Sequence, residues 1–243
     1  MEVYAMGLIC KLFRKKKHPK LDNEHLLPGD RVSIELGLRY SMASWERIFA
    51  NTQAIRHIVR AGLEGDVVEC GVWRGGSMMA MAQTLLNLED ASRDVHLYDT
   101  FSGMSAPVSQ DGTFAQAKFK ELQTGENQSN WCQTGLKEVQ ANLDQVAYPK
   151  EKIHFIQGKI EDTVPAHLPE QISLLRLDMD WYEPTLHALK HMFPRLQSNG
   201  VIIIDDYGHW EGCRRALDEY LDEMNLNVLL SRTDYTGRIG VKS

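Results

Sequence analysis

The chain has 243 residues, of which 43% are hydrophobic and 25% are charged, as is usual for one globular α/β domain with a short extension. Its formal net charge of −6 argues against a nucleic-acid-binding surface, which requires clustered Lys and Arg, so we expect no nucleic-acid partner. The four cysteines are scattered without a CxxC pair, which argues against a disulfide framework or a zinc site and predicts a cytoplasmic protein.

Residues 1–33 show little periodicity and are predicted to form a flexible N-terminal arm, followed by one domain over residues 34–243. An apolar stretch at 6–13 precedes a basic run at 14–17, the reverse of the order in a signal peptide. No stretch reaches the ~20 apolar residues that a transmembrane segment needs. A solvated terminus is the simpler interpretation of the arm, and weak contact with an anionic membrane surface is the alternative.

Beyond the arm, the hydrophobic pattern predicts helices that alternate with strands. Ser44 is the expected N-cap of a first helix, which Gly62 and Gly65 end. Strands are predicted at 66–70, 95–99, 153–157, 173–178 and 201–205, and further helices at 78–88, 136–146, 184–196 and 211–224. Residues 227–231 and 238–242 are predicted to pair as a hairpin. The fold class is therefore α/β, a doubly wound and mostly parallel sheet with an antiparallel C-terminal hairpin strand.

A polar loop at 107–112 is long enough to be an active-site cover, so residues 105–130 are a candidate lid. We leave open whether this segment closes over a substrate.

A glycine loop follows the first predicted strand. Gly71, Gly75 and Gly76 would allow a ligand to approach the backbone, although their spacing is not GxGxxG. Glu69 at the strand end would repel a pyrophosphate but attract the sulfonium or α-amino group of S-adenosylmethionine. Asp99 ends the next strand, where an acid typically accepts hydrogen bonds from ribose hydroxyls. The structural alternative is a tight turn beside an exposed acid.

Three aspartates, Asp178, Asp205 and Asp206, end two further apolar strands and are expected at the same edge of the sheet. Converging carboxylates repel one another unless a cation lies between them. Oxygen ligands without a nearby His or Cys favour Mg²⁺, with Mn²⁺ or Ca²⁺ as alternatives. The structural alternative is that Asp205 and Asp206 cap the next helix while Asp178 is a surface acid.

Several other side chains have open interpretations. His187 and His191 share a helix face and are better explained as solvated residues than as a metal pair. His209 is a candidate substrate contact. Trp181 and Tyr182 either wall the acceptor site or pack within the loop.

At four motifs the chain resembles the macrocin O-methyltransferase family, the sugar O-methyltransferases of macrolide and aminocoumarin biosynthesis. The motifs are ECGVWRGGS at 69–77, YDTFSGM at 98–104, LDMDWYE at 177–183 and IDDY at 204–207, and the resemblance extends from about Tyr40 to the C-terminus. It implies a class I methyltransferase (Rossmann-like) fold that uses S-adenosylmethionine and Mg²⁺. The chain departs from the family at Met179, where a glycine is expected, and the arm before Tyr40 has no clear counterpart.

The resemblance also implies roles for individual residues. Ser41 and Met42 would contact the methionine part of the cofactor, and Gly158 and Lys159 its adenine. Asp178, Asp205 and Asp206 match the metal ligands, and Asp178 also matches the catalytic base. The remaining implied cofactor contacts are Glu69, Gly71, Trp73, Gly75, Ser77, Asp99, Thr100, Phe101, Ser102 and Gly103.

These observations predict a divalent-metal-dependent O-methyltransferase that acts on a hydroxyl of a sugar or a sugar-containing natural product. A cation would lower the hydroxyl's pKa, and either Asp178 or Asp180 would take the proton. A vicinal diol is the preferred acceptor, and we expect a homo-oligomer. The alternatives are a nicotinamide-dependent Rossmann oxidoreductase, which would need a tighter glycine fingerprint, and a non-catalytic nucleotide-binding module, which would leave the three aspartates unexplained.

Overall fold

The structure is a computed structural model that describes residues 26–243. Its helices are α1 (Asp30–Arg39), α2 (Trp45–Arg60), α3 (Gly76–Asn87), α4 (Gly112–Leu122), α5 (Leu136–Leu143), α6 (Ile160–Thr163), α7 (Tyr182–Met192) and α8 (Glu211–Glu223). Its strands are β1 (Asp66–Cys70), β2 (Val95–Asp99), β3 (Gln123–Gly125), β4 (Gln128–Ser129), β5 (Ile153–Gln157), β6 (Ile172–Leu177), β7 (Leu196–Ile204), β8 (Leu230–Arg232) and β9 (Arg238–Val241).

Seven of the described strands form one sheet in the order β5-β2-β1-β6-β7-β9-β8, and β3 pairs separately with β4. The first five strands of that order are parallel, whereas β9 is antiparallel to β7 and β8 is antiparallel to β9. This confirms the predicted fold class. The strand order reverses between β1 and β6, so the crevice for a ligand lies at the carboxyl ends of these strands.

Alternation along the central strands divides the core between the two faces of the sheet. Val68 and Leu175 belong to the apolar cluster that contains residues of α7 and α8, whereas Val67 and Leu174 belong to the cluster with α2 and α3. All six residues of β6 are buried, as expected for a parallel strand that is covered on both faces. Apolar runs of this kind made the central strands predictable.

Helix α1 was not predicted, and its first turn lies within the segment that the sequence assigned to the arm. It packs near α2 through a buried ion pair, in which Arg56 Nη2 lies 2.6 Å from Asp30 Oδ1. The buried residues of α1 include Asp30, Ser33 and Gly37 beside Ile34, so the helix lacks a clear apolar stripe. The predicted membrane contact of residues 6–17 lies outside the described residues.

Helix α4 and the β3–β4 pair also escaped prediction, because α4 buries only Ala115 and Phe119. The helix predicted at 184–196 ends earlier, at Met192, and a short 3₁₀ turn over Phe193–Arg195 with Pro194 in its first positions leads into β7. Within residues 26–243, no helix combines the length and hydrophobicity needed to cross a bilayer.

Candidate active site

The loop after β1 packs closely against other backbone segments at two glycines. Gly71 has a φ of 81°, and a Cβ there would overlap the carbonyl oxygen of Asp178 after β6. A Cβ on Gly76 would overlap the carbonyl oxygen of Gly37 in the last turn of α1. Part of the glycine pattern therefore serves contacts within the protein itself. Ser77 lies buried in the first turn of α3.

Asp99 joins the loops that follow β1 and β2. Its Oδ2 accepts hydrogen bonds from the backbone nitrogens of Val72 at 2.7 Å and Trp73 at 3.1 Å, and its Oδ1 accepts one from Phe101 N at 2.7 Å. Trp73 and Phe101 have positive φ values of 45° and 51°, so the carboxylate supports a strained backbone on both sides. Burial raises the pKa of Asp99, and the hydrogen bonds oppose that shift. Asp99 therefore has a structural role beside its predicted contact with ribose.

The predicted methionine-binding residues lie between α1 and α2. Gly76 N donates to Tyr40 O at 3.2 Å, which places this connection against the start of α3 beside Gly75. Ser41 Oγ accepts a hydrogen bond from Ala43 N at 3.0 Å, and Met42 is 44% exposed.

The other predicted cofactor residues surround Asp99. Thr100 Oγ1 donates to Gly103 O at 2.7 Å and accepts from Ser102 N at 3.3 Å, and Gly158 N donates to Asp99 O at 3.0 Å. Lys159 follows Gly158 at the start of α6. The structure thus places the predicted cofactor residues at the ends of β1, β2 and β5, in the loops beside them, and before α2.

The predicted metal ligands meet at the ends of β6 and β7. One carboxylate oxygen from each of Asp178, Asp205 and Asp206 lies within 4.8 Å of the other two. Asp206 Oδ2 is buried and has no hydrogen-bond partner among the described residues. Three oxygen ligands and an unpartnered buried carboxylate oxygen fit a divalent cation such as Mg²⁺.

Arg176, which the sequence analysis did not assign to the site, lies beneath this cluster. Its buried guanidinium donates to Glu69 Oε1 at 2.6 Å, Asp178 Oδ2 at 2.8 Å and Asp205 Oδ1 at 2.5 Å. The pairing of β1 with β6 places Glu69 directly opposite Arg176. Burial raises the pKa of Glu69 to about 8 although Arg176 opposes the shift, and Glu69 Oε2 has no hydrogen-bond partner in the described part of the chain. Glu69 is therefore mostly protonated at neutral pH in the cofactor-free protein, and a cationic cofactor group near Oε2 would favour its ionised form.

Arg47 in the first turn of α2 was also missed. Its Nη1 contacts Asp205 Oδ2, and its Nε lies 3.1 Å from Asp234 Oδ2 in the turn between β8 and β9. Ser44 is the N-cap of α2, as predicted, because its Oγ accepts from Arg47 N at 3.2 Å. The same hydroxyl donates to Asp234 Oδ2 at 2.7 Å. No motif in the sequence linked Arg47 to the acids.

The carboxyl groups of the cluster have shifted pKa values of opposite sign. Burial raises the pKa of Asp180 to about 7. Burial, and to a lesser extent the negative charge of Asp180, raise the pKa of Asp206. Burial acts to raise the pKa of Asp205 as well, but Arg176 and Arg47 outweigh it and lower that pKa. The positive φ in this loop is at Asp180, at 63°, and not at Met179, so the backbone does not require a glycine at 179.

Residues of the candidate lid pack against Trp181 and Tyr182, which follow Asp180. Trp181 is buried, donates from Nε1 to Ser105 O at 3.0 Å, and contacts Trp210 with ring centroids 5.0 Å apart. Asp111 Oδ1 accepts from Tyr182 N at 2.6 Å. The Tyr182 hydroxyl donates to Glu219 on α8 at 2.5 Å. Trp181 and Tyr182 therefore follow the packing alternative.

The surroundings of His209 differ from those of His187 and His191. His209 Nδ1 contacts the Tyr235 hydroxyl near the site, and burial and Arg47 lower its pKa. His187 Nε2 lies 3.0 Å from Val164 O, and its ring centroid is 4.5 Å from that of His191. A structural role therefore accounts for His187 without a metal.

The fold and the site together define a class I methyltransferase. The structure of the O-methyltransferase NovP superposes on this chain with a TM-score of 0.75 and 26% sequence identity, and the alignment covers 84% of this chain and 82% of NovP. The structure of the calicheamicin methyltransferase CalS11 superposes with a TM-score of 0.65 and 17% sequence identity, and the alignment covers 99% of this chain and 92% of CalS11.

This chain belongs to the Macrocin-O-methyltransferase (TylF) family, which it matches over residues 15–239. A tetracenomycin rhamnosyl 4'-O-methyltransferase from Streptomyces olivaceus is 31% identical over 82% of this chain and 74% of its own length. Mycinamicin III 3''-O-methyltransferase from Micromonospora griseorubida is 30% identical over 82% of this chain and 76% of its own length. The resemblance is thus confirmed, although the family match begins at residue 15 and not near Tyr40, so part of the arm does have a counterpart in the family. The protein is an S-adenosylmethionine-dependent O-methyltransferase, which decides against the oxidoreductase and the non-catalytic module.

Proposed function

We propose that this enzyme methylates a hydroxyl of a sugar or a sugar-containing natural product, with a divalent cation held by Asp178, Asp205 and Asp206. The observation that carries the metal assignment is the convergence of these three carboxylates, together with a buried Oδ2 of Asp206 that has no hydrogen-bond partner within residues 26–243. The sugar acceptor is supported by the relatives from S. olivaceus and M. griseorubida, whose names place their methylation on a rhamnosyl group and at a 3'' position.

Each residue type has a defined task in this reaction. A divalent cation in the cluster, Mg²⁺ first and Mn²⁺ or Ca²⁺ as alternatives, would supply the positive charge that eases deprotonation of an alcohol. Asp178 or Asp180 accepts the hydroxyl proton. The acceptor oxygen then forms its bond to the methyl carbon while the carbon–sulfur bond breaks, so most of the protein's contribution is to orient the two reactants.

The cofactor is assigned to the loops after β1, β2 and β5. Ser41 and Met42 lie at its methionine end, Glu69 near its cationic groups, Asp99 at the ribose, and Gly158 with Lys159 at the adenine. A neighbouring pair of hydroxyls matches a site of several oxygen ligands, so the acceptor is a vicinal diol. A homo-oligomeric assembly and a cytoplasmic location stay predictions.

The test uses the full-length protein with S-adenosylmethionine and three acceptor groups: glycosides with vicinal diols, their monodeoxy analogues and catechols. Mass spectrometry measures S-adenosylhomocysteine and the methylated product. We expect turnover with the sugar diols, its loss in EDTA and its return with excess Mg²⁺. Turnover that survives thorough chelation refutes the metal assignment, and methylation of the catechols alone refutes the sugar acceptor.

A further inference from the structure

Asp205 differs from the other two proposed metal ligands because arginines bind both of its carboxylate oxygens. Arg176 donates to Oδ1 from beneath the cluster, and Arg47 contacts Oδ2 from α2. Asp206 instead keeps a buried oxygen without a partner among the described residues. A cation that takes all three acids must therefore share Asp205 with two guanidinium groups, or displace one of them.

The two arginines differ in their freedom to move away. The side chain of Arg176 is 1% exposed and also donates to Glu69 and Asp178, so its departure would leave those two acids without a donor. The side chain of Arg47 is 15% exposed, and its Nε already lies 3.1 Å from a second acidic partner, Asp234 Oδ2. Of the two guanidinium groups, that of Arg47 is the one with both room and an alternative partner.

Asp234 is well fixed as that alternative partner. Its Oδ1 accepts from Thr236 N at 2.9 Å and Gly237 N at 2.8 Å, and its Oδ2 accepts from Ser44 Oγ at 2.7 Å. These bonds hold the carboxylate in the β8–β9 turn independently of Arg47. A guanidinium that left Asp205 would therefore find an acceptor in place and would keep an ion pair near the start of α2.

We propose that Arg47 is a resident counter-ion, which holds Asp205 while no divalent cation is bound and transfers to Asp234 when a cation takes Asp205. The guanidinium and a cation would compete for the carboxylate of Asp205, and two positive charges so close together repel each other. Arg47 thereby sets the cation affinity of the site. This inference rests on the proposed metal site.

The test measures Mn²⁺ binding directly, from the electron paramagnetic resonance signal of free Mn²⁺, on the full-length protein without cofactor or acceptor. Arg47→Gln removes the competing charge, so we expect Mn²⁺ to bind about tenfold more tightly. Arg47→Lys keeps the charge and is the matched control, with an affinity close to that of the wild type. Equal or weaker Mn²⁺ binding by Arg47→Gln overturns the proposal.

Asp234→Asn provides an independent arm. It removes the destination of Arg47, so Mn²⁺ should bind more weakly, and this loss should disappear when Arg47→Gln is also present. If Asp234→Asn binds Mn²⁺ as the wild type does, or if its loss persists in the double variant, no transfer occurs. Thermal unfolding checks that each variant folds, and if Arg47→Gln does not, Arg47→Met takes its place in both arms. A wild type that binds no Mn²⁺ refutes the metal assignment instead.

Discussion

Replacing Arg176 by Met tests whether one buried arginine holds the acids of the site together. Its guanidinium donates to Glu69, Asp178 and Asp205, and its side chain is 1% exposed. Methionine fills a similar volume but leaves these carboxylates without their shared donor. Loss of one partner from a buried ion pair costs about 3–5 kcal/mol, so Arg176→Met should lower the free energy of unfolding by at least about 3 kcal/mol. That is a large share of the roughly 5–15 kcal/mol that stabilises a typical domain.

Urea unfolding at neutral pH in EDTA measures this loss, and the thermal midpoint should fall by about 2–4 °C for each kcal/mol. The matched control is Arg215→Met, because Arg215 pairs with Glu219 on the exposed face of α8 and its side chain is 55% exposed. An exposed pair contributes about 1 kcal/mol or less, so the control should unfold almost like the wild type. A loss below about 1 kcal/mol in Arg176→Met would refute the reasoning.

Four further substitutions test the site. Asp206→Asn should weaken Mn²⁺ binding and turnover but keep or raise the stability in EDTA, because Asp206 Oδ2 lacks a partner among the described residues. Asp205→Asn should instead lower the stability, because arginines bind both of its carboxylate oxygens. Urea unfolding of the two variants distinguishes these outcomes. The folded-state pKa of Glu69 is raised from its ordinary 4.5 to about 8, so the stability that Glu69 contributes is present below pH 4.5 and is lost as pH rises to about 8. Glu69→Gln should flatten that part of a plot of unfolding free energy against pH, and an unchanged slope would contradict the shift. Asp99→Ala leaves the amide of Val72 without its acceptor, so the free energy of unfolding should fall by about 1–3 kcal/mol. The affinity for S-adenosylhomocysteine, measured by calorimetry, should fall as well. An unchanged affinity would remove Asp99 from the cofactor site.

The central strands and the acids at their ends were predictable because they follow local rules. A strand buried on both faces is an apolar run, and in β1, β2 and β5 the predicted limits match the observed ones. Parallel strands end at one edge of the sheet, so the acids that follow β6 and β7 had to come together. Neither inference required knowledge of which strands are neighbours.

Arg176 and Arg47 escaped prediction because their partners are distant in sequence. The alternation along β6 places Arg176 on one face, but only the pairing of β1 with β6 places Glu69 opposite it. Arg47 reaches Asp205 from α2 and is separated from it by most of the chain. Helices α1 and α4 escaped for a different reason, since each buries too few apolar residues to produce a clear period.

The two arginines change what the acidic motif means for cation binding. From the sequence, the three aspartates repel one another unless a cation lies between them. In the structure Asp205 is already neutralised by Arg176 and Arg47, while Asp206 keeps a buried oxygen without a partner among residues 26–243. Because Asp178 is also paired with Arg176, the attraction for the proposed cation comes mainly from Asp206. Under the proposed metal assignment, substitutions of Arg47 on α2, outside the acidic motif, should therefore change the affinity for Mn²⁺.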